Sequence, residues 1–215
     1  MSRAGASAAN PPTLGVVLAG GRARRMGGGD KSRIRVGGRT ILERVLDRVA
    51  PQCSRVVLSA GANAALFADS GLALVPDSVP DHAGPLAGIL AGLDWAAGHA
   101  PEVAWAVSVP GDCPFLPRDL VVRLHDVRLE AGTPLACAGS GRRRHPAIAL
   151  WPVTMREDLR RALVRDGVRK VDEWAARQGV AVAEWPSAPV DPFFNVNTPD
   201  DAAEAERLAA RHPEI

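Results

Sequence analysis

Short apolar runs alternate along this chain with longer stretches in which apolar residues recur every three or four positions. The short runs predict strands, and several are apolar without interruption, as is typical of strands covered on both faces. The recurring pattern predicts helices, because positions three and four apart share one helix face. We predict strands over 14–19, 55–59, 72–75, 103–109, 135–138, 147–150 and 180–184, and helices over 40–50, 85–97, 118–130, 154–164, 168–178 and 198–211.

Two of the predicted helix starts carry strong local signals. Thr40 stands three positions before Glu43, which is the spacing of a capping box. Thr198 precedes Pro199 and two acidic residues, which favours an N-cap followed by proline in the first turn. The alternation of strands and helices predicts an α/β fold, a Rossmann-like three-layer sandwich with a mainly parallel central sheet.

Composition narrows the class of protein. A chain of 215 residues is long enough for one α/β domain, which we expect over 13–215, with 1–12 as a flexible tail. A net charge of +2 argues against nucleic acid as a partner. The three cysteines lack a C-x-x-C pair, and no apolar run reaches the ~18 residues of a membrane span. We therefore expect a cytoplasmic protein without a membrane partner.

The loop after the first strand, 20–32, combines five glycines with three arginines and Lys31. Glycines let backbone N–H groups approach a ligand, and the cationic side chains attract phosphate. A Walker A loop needs glycine directly before Lys-Ser, where this chain has Asp30, and the glycine spacing does not fit the dinucleotide fingerprint. The loop therefore predicts a phosphate site of another kind.

Asp112 follows the predicted strand 103–109 through Pro110-Gly111. Ligands of open α/β sheets bind at the carboxyl ends of the strands, and Mg²⁺ prefers carboxylate oxygens, so Asp112 is the candidate metal ligand. Asn195 and Asn197 are two positions apart, and on an extended segment their amides point the same way. That arrangement suits a polar heterocycle, although a hydrogen-bonded clamp before the last helix remains an equal interpretation.

Several motifs together resemble one family of nucleotidyltransferases, the molybdenum cofactor guanylyltransferases. The resemblance spans about 13–210 and is most specific where the Gly-rich loop combines with the last motif. Its motifs are Leu18-Ala19-Gly20-Gly21, Arg25-Met26-Gly27, Asp30-Lys31, Pro76-Asp77-Ser78, Gly84-Pro85-Leu86-Ala87-Gly88, Pro110-Gly111-Asp112-Cys113-Pro114-Phe115 and Phe194-Asn195-Val196-Asn197-Thr198-Pro199.

The resemblance implies a fold like that of the nucleotide-diphospho-sugar transferases and a Mg²⁺-dependent transfer of GMP from GTP to Mo-molybdopterin. It also implies contacts with molybdenum-insertion proteins and molybdoenzyme chaperones. The implied catalytic residues are Arg25, Lys31 and Asp112, with Asp112 also the metal ligand. The implied nucleotide contacts are Leu18, Ala19, Gly20, Gly21, Lys31, Ser59, Asp77 and Asp112, and the implied pterin contacts are Gly28, Gly84, Gly88, Arg169, Asn195 and Asn197.

Three alternatives stay open at this point. CTP-dependent relatives tend to carry Leu-Ala-Ala-Gly and Asp-Gln-Pro, whereas this chain has Leu-Ala-Gly-Gly and Asp-Cys-Pro, which favours guanine. A sugar-phosphate nucleotidyltransferase is disfavoured by the segment 194–199. A non-catalytic nucleotide- or pterin-binding accessory protein is disfavoured because Arg25, Lys31 and Asp112 are all present. His145 is expected to be structural or acceptor-binding, since an ionised phosphate nucleophile needs no base.

Overall fold

The computed structural model describes residues 11–19, 31–79 and 84–215. Within these residues nine strands alternate with six α-helices. The strands are β1 Thr13–Leu18, β2 Arg35–Val36, β3 Arg39–Thr40, β4 Arg55–Ser59, β5 Ala73–Val75, β6 Trp105–Pro110, β7 Leu135–Ser140, β8 Arg143–Pro152 and β9 Val180–Trp185. The helices are α1 Ile41–Val49, α2 Pro85–His99, α3 Leu120–Ala131, α4 Arg156–Val164, α5 Val171–Gln178 and α6 Pro199–Arg211.

Seven strands form one sheet in the order β5-β4-β1-β6-β8-β7-β9. The pairs β5–β4, β4–β1, β1–β6 and β7–β9 are parallel. Strand β8 is antiparallel to both of its neighbours, β6 and β7. The expected mainly parallel sheet is therefore confirmed, with β8 as its antiparallel member.

The reversed strand follows from a two-residue turn that the sequence analysis did not identify. Gly141 and Arg142 both have positive φ, 52° and 67°, which suits a tight hairpin between β7 and β8. A hairpin makes its two strands antiparallel. It also begins β8 at Arg143, four residues before the predicted start at 147.

Two buried apolar layers cover the sheet. Helices α1, α3 and α6 pack on one face, where Val17 of β1 and Val107 of β6 are buried. Helices α2, α4 and α5 pack on the other face, where Val16 of β1 is buried and Trp151 lies 5.7 Å from Trp174 between ring centroids. This arrangement is the expected three-layer sandwich, because residues i and i+1 of a strand point to opposite faces.

Most predicted helix boundaries agree with the structure. The capping box of Thr40 and Glu43 is formed, and Thr198 makes a second one with Asp201. Helix α5 begins at Val171 and not at 168, because the preceding residues close α4. Gly167 has φ 67°, and the Val168 N–H donates to the carbonyl of Ala162, 3.0 Å away.

Two short features were missed. The strands β2 and β3 have two residues each, too few for a periodic pattern, and the ten-residue 3₁₀ segment Gly61–Ser70 has no clear apolar face. In the described part of the chain, no helix is long and apolar enough to cross a membrane.

Candidate functional site

The carboxyl ends of β1, β4 and β6 are joined by backbone hydrogen bonds beyond the strands. The Ala19 N–H donates to the Ser59 carbonyl at 2.8 Å, and the Gly111 N–H donates to the Leu18 carbonyl at 2.9 Å. A Cβ on Gly111 would lie 3.2 Å from that Leu18 oxygen, so a side chain there would crowd the contact. Backbone contacts of Leu18, Ala19 and Ser59 thus connect the ends of β1, β4 and β6 next to the loop that carries Asp112.

Four polar side chains meet at this end of the sheet. Lys31 Nζ donates to Asn197 Oδ1 at 2.5 Å and lies 3.9 Å from Asp112 Oδ2. Asn195 Nδ2 donates to Asp112 Oδ1 at 3.1 Å. The Lys31 and Asp112 side chains are 19% and 21% exposed, so both are sheltered but reachable from solvent. We call Lys31, Asp112, Asn195 and Asn197 the edge cluster.

The two asparagines are placed by the backbone between them. The Val196 N–H donates to the Asp112 carbonyl at 2.9 Å, and Val196 is fully buried. Because Val196 points into the core, Asn195 and Asn197 both point toward the edge of the sheet, as their spacing predicted. Their amides face Asp112 and Lys31, so the residues predicted to contact the pterin lie beside residues predicted to contact the nucleotide, and both assignments stay predictions.

Asp201 holds the far end of this segment. Its Oδ2 accepts hydrogen bonds at 2.9 Å from the backbone N–H groups of Asn197 and Thr198. The Asn197 N–H is the main cause that lowers the Asp201 pKa, followed by Thr198, with a weaker contribution from the Lys31 charge. The sequence analysis treated Asp201 only as a helix-start signal, yet it also fixes Asn197.

Asp77 lies apart from the edge cluster, two residues beyond β5. Two strands separate β5 from β6, so at ~4.8 Å per strand Asp77 is more than 10 Å from the end of β6. Asp77 is exposed as a residue, but its carboxylate lies beside Gly61, where an added Cβ would be 3.4 Å from Oδ2, an ordinary contact distance. Partial burial raises the Asp77 pKa. Its nucleotide contact stays a prediction.

Gly84 and Gly88 differ in their surroundings. Gly84 is exposed at the start of α2 with φ 137°, a conformation that favours glycine. Gly88 is buried, and a Cβ on it would lie 2.7 Å from Ser59 Oγ and 2.8 Å from Leu18 Cδ2. Close packing of α2 on β1 and β4 therefore accounts for glycine at 88, and the predicted pterin contacts of both residues stay predictions.

Arg169 is engaged elsewhere in the fold. Its Nη1 donates to the carbonyls of Leu163 and Val168, at 3.0 and 2.9 Å, at the carboxyl end of α4. Leu163 lies in the last turn of α4, and Val168 lies between α4 and α5. The structure does not place Arg169 in the edge cluster. The predicted site residues Gly20, Gly21, Arg25 and Gly28 lie outside the described residues.

The edge cluster offers a metal ion one carboxylate, Asp112. Among the described residues, no group of three or more His, Cys, Asp or Glu side chains has the geometry of a metal site. This donor set fits Mg²⁺, which keeps several waters and takes its other ligands from substrate phosphates. Within the part of the chain that the structure describes, the cluster lacks the three or four protein ligands that zinc needs.

Comparison with known proteins agrees with the resemblance found in the sequence. A family model for the MobA-like NTP transferase domain matches residues 15–182. A molybdenum cofactor guanylyltransferase of Nitrobacter hamburgensis is 58% identical over 93% of this chain and 96% of its own length. One of Mesorhizobium japonicum is 46% identical over 90% of this chain and 94% of its own length.

A solved structure shows the same architecture. The crystal structure of a molybdopterin-guanine dinucleotide biosynthesis protein A from Archaeoglobus fulgidus is 25% identical and superposes with a TM-score of 0.70. The match covers 93% of this chain and 99% of the archaeal chain. The expected nucleotidyltransferase fold is thereby confirmed.

Proposed function

Because the chain belongs to the family of MobA-like NTP transferases, we propose that it is a molybdenum cofactor guanylyltransferase. It transfers GMP from GTP to Mo-molybdopterin and releases pyrophosphate. One observation carries the proposal beyond family membership: Lys31 and Asp112, the phosphate and metal candidates, are hydrogen-bonded to Asn197 and Asn195, the pterin candidates. The residues that we assign to the two substrates therefore lie together at one edge of the sheet.

The reaction forms one bond and breaks one. An oxygen of the acceptor's terminal phosphate attacks the α-phosphorus of GTP, and the bond from that phosphorus to the bridging oxygen of the β-phosphate breaks. Pyrophosphate takes the electron pair of the broken bond. The attacking phosphate is already ionised near neutral pH, so the protein supplies position and charge and no catalytic base is required.

Lys31 supplies the positive charge in the described part of the site. An ammonium group has three N–H donors, and Asn197 takes one of them. The remaining donors are available to oxygens of the triphosphate, and the bond to Asn197 keeps the ammonium at the edge of the sheet. We assign Arg25, by family resemblance, to the same role.

Asp112 is the residue that would hold Mg²⁺. Asn195 donates to its Oδ1, while Oδ2 faces Lys31 at 3.9 Å, too far for a strong hydrogen bond. When bound there, the ion would offset negative charge on the triphosphate and on the departing pyrophosphate. The Asn195 amide keeps the carboxylate in one orientation.

The remaining assignments follow the resemblance. We assign Leu18, Ala19, Gly20, Gly21, Ser59 and Asp77 to the nucleotide, and Gly28, Gly84, Gly88, Arg169, Asn195 and Asn197 to the pterin. The separation of Asp77 from Asp112 by two intervening strands leaves room for a nucleoside between a base contact and a phosphate contact. We also propose a cytoplasmic location and contacts with molybdenum-insertion and molybdoenzyme chaperone proteins.

A turnover experiment tests the function. The protein is incubated with Mg²⁺, Mo-molybdopterin and GTP, CTP or ATP in separate reactions, and the dinucleotide and pyrophosphate are quantified by chromatography and mass spectrometry. We expect molybdopterin guanine dinucleotide and pyrophosphate in equal amounts. Preferential formation of the cytosine dinucleotide would make it a cytidylyltransferase. Binding of GTP and pterin without any product would make it an accessory protein.

A further inference from the structure

A serine, a histidine and an aspartate form a hydrogen-bonded chain beside the segment that carries the two asparagines. Ser140 Oγ lies 2.9 Å from His145 Nε2 and 2.8 Å from Asp191 Oδ1. Ser140 ends β7, His145 lies on the antiparallel strand β8, and Asp191 follows β9. None of the three belongs to the edge cluster. We call them the Ser140–His145–Asp191 chain.

This chain is not a nucleophilic triad. In a triad the carboxylate contacts the imidazole, which in turn contacts an accessible hydroxyl. Here the hydroxyl stands between the other two groups, and Ser140 is only 1% exposed. An ionised Asp191 can only accept, so Ser140 donates its single proton to Asp191 and accepts the Nε2–H of His145. Every polar atom of the contact is then paired.

The chain fixes the start of the asparagine segment. Asp191 Oδ1 also accepts the backbone N–H of Phe193 at 3.0 Å, and the Asp191 carbonyl accepts the N–H of Phe194 at 3.1 Å. The buried Phe193 ring lies 4.8 Å from the His145 ring between centroids. The turn 191–194 is therefore tied to the β7–β8 hairpin by polar and apolar contacts together.

The other end of the segment has its own anchors. Val196 is bonded to the Asp112 carbonyl, and Asn197 to Asp201. Asn195 stands between the two sets of anchors and is the asparagine nearer to the Ser140–His145–Asp191 chain in sequence. We therefore expect a loosened chain to disturb Asn195, whose amide is bonded to Asp112, more than Asn197 and its partner Lys31.

We propose that Ser140, His145 and Asp191 are positioning residues that set the affinity for the acceptor by fixing Asn195. The inference rests on the proposed function, in which Asn195 binds the pterin. The β7–β8 hairpin, which carries Ser140 and His145, thereby influences acceptor binding without contacting the acceptor. Asn195 also donates to Asp112, but Lys31, the cation assigned to the triphosphate, is held by Asn197, so GTP binding should change less than acceptor binding.

Steady-state kinetics on the intact protein tests the proposal. For His145→Leu and Ser140→Ala we expect an acceptor KM raised about 10-fold, as for loss of one well-formed hydrogen bond, with GTP KM changed less than about 3-fold. His145→Gln keeps an N–H donor and should return the acceptor KM to within about 3-fold of wild type. His99→Leu, on the exposed end of α2, is the control for the substitution itself.

A second readout is independent of turnover. In ¹⁵N NMR spectra, the side-chain amide of Asn195 should shift or broaden in His145→Leu and Ser140→Ala and return toward wild type in His145→Gln. If the wild type makes no dinucleotide while Asn195 responds in this way, the proposed function fails and the positioning stands. The positioning role would be overturned by any of three results. These are an equal rise of the acceptor KM and the GTP KM, an unperturbed Asn195 signal, and no rescue by His145→Gln.

Discussion

Replacement of Gly92 by alanine should destabilise the fold, although alanine is the better helix former. Gly92 lies in the middle of α2, over Val16 of the central strand β1. An added Cβ would lie 2.4 Å from Val16 Cγ2, 2.8 Å from Cγ1 and 3.2 Å from Cβ. Ordinary contacts between such atoms are about 3.5–4.0 Å. The helix and strand must therefore separate by about 1 Å, since β-branched Val16 has little rotamer freedom.

The expected size follows from two opposing effects. Overpacking a core costs about 1–3 kcal/mol, and glycine to alanine in a helix interior gains about 0.5–1 kcal/mol. We expect Gly92→Ala to lose about 1–2 kcal/mol, which is ~2–8 °C in Tm for a chain of this size. Gly98→Ala in the same helix meets no atom within 4 Å and should be more stable than wild type by a few tenths of a kcal/mol.

Urea unfolding followed by far-UV circular dichroism measures both variants against wild type, with the midpoint and the slope fitted separately. The two substitutions are chemically identical and differ only in what the new methyl group meets. A Gly92→Ala protein at least as stable as wild type would show that α2 does not pack on β1 at this distance. A Gly98→Ala protein as destabilised as Gly92→Ala would show that steric overlap is not the cause.

Three further predictions concern the site and the core. Asp112→Asn should lose at least ~100-fold in turnover with unchanged circular dichroism, because the neutral amide is a poor Mg²⁺ ligand; near-wild-type activity of the folded variant would remove Asp112 from the metal site. Lys31→Ala should weaken GTP binding, measured by calorimetry, by about 1.5–3 kcal/mol, and Asn197→Ala should weaken it by about 1 kcal/mol because Asn197 orients Lys31. The control Arg33→Ala, at an exposed residue, should leave the affinity unchanged. Equal affinities in all three variants would refute this order. His125 is buried against Thr13, and burial lowers its pKa to about 4, so its contribution to stability is complete above ~6.5 and is lost as pH falls from there to about 4. Wild type should accordingly lose on the order of 1–3 kcal/mol more than His125→Gln across that window in urea titrations, and parallel pH profiles would contradict the assignment.

Much of the fold was predictable because it depends on neighbours in sequence. Uninterrupted apolar runs indicate strands covered on both faces. Thr40 and Glu43 indicate a helix start, because residues three positions apart can exchange the hydrogen bonds of a capping box. The position of Asp112 beyond β6 and the shared direction of Asn195 and Asn197 follow from strand geometry alone. The family resemblance came from short motifs of the same kind. It also supplied the substrates, which no periodic pattern contains.

Apolar periodicity was insufficient where a turn or a specific hydrogen bond decided the outcome. Strand β8 is antiparallel because positive φ at Gly141 and Arg142 turns the chain back, which alternation of apolar residues does not reveal. Arg169 donates to the carbonyls of Leu163 and Val168, which its motif did not indicate, and its pterin contact stays a prediction. The Ser140–His145–Asp191 chain joins two neighbouring strands and a loop, and the spacing of these residues in the sequence does not predict it.

The edge cluster shows the same limit most clearly. Lys31 and Asn197 are 166 positions apart, and Asp112 and Asn195 are 83 apart, yet each pair shares a hydrogen bond. The sequence indicated which residues are candidates for the chemistry, through residue type, strand geometry and the family resemblance. Only the tertiary structure decided that the nucleotide candidates and the pterin candidates contact each other, because the order of strands in the sheet sets which strand ends become neighbours.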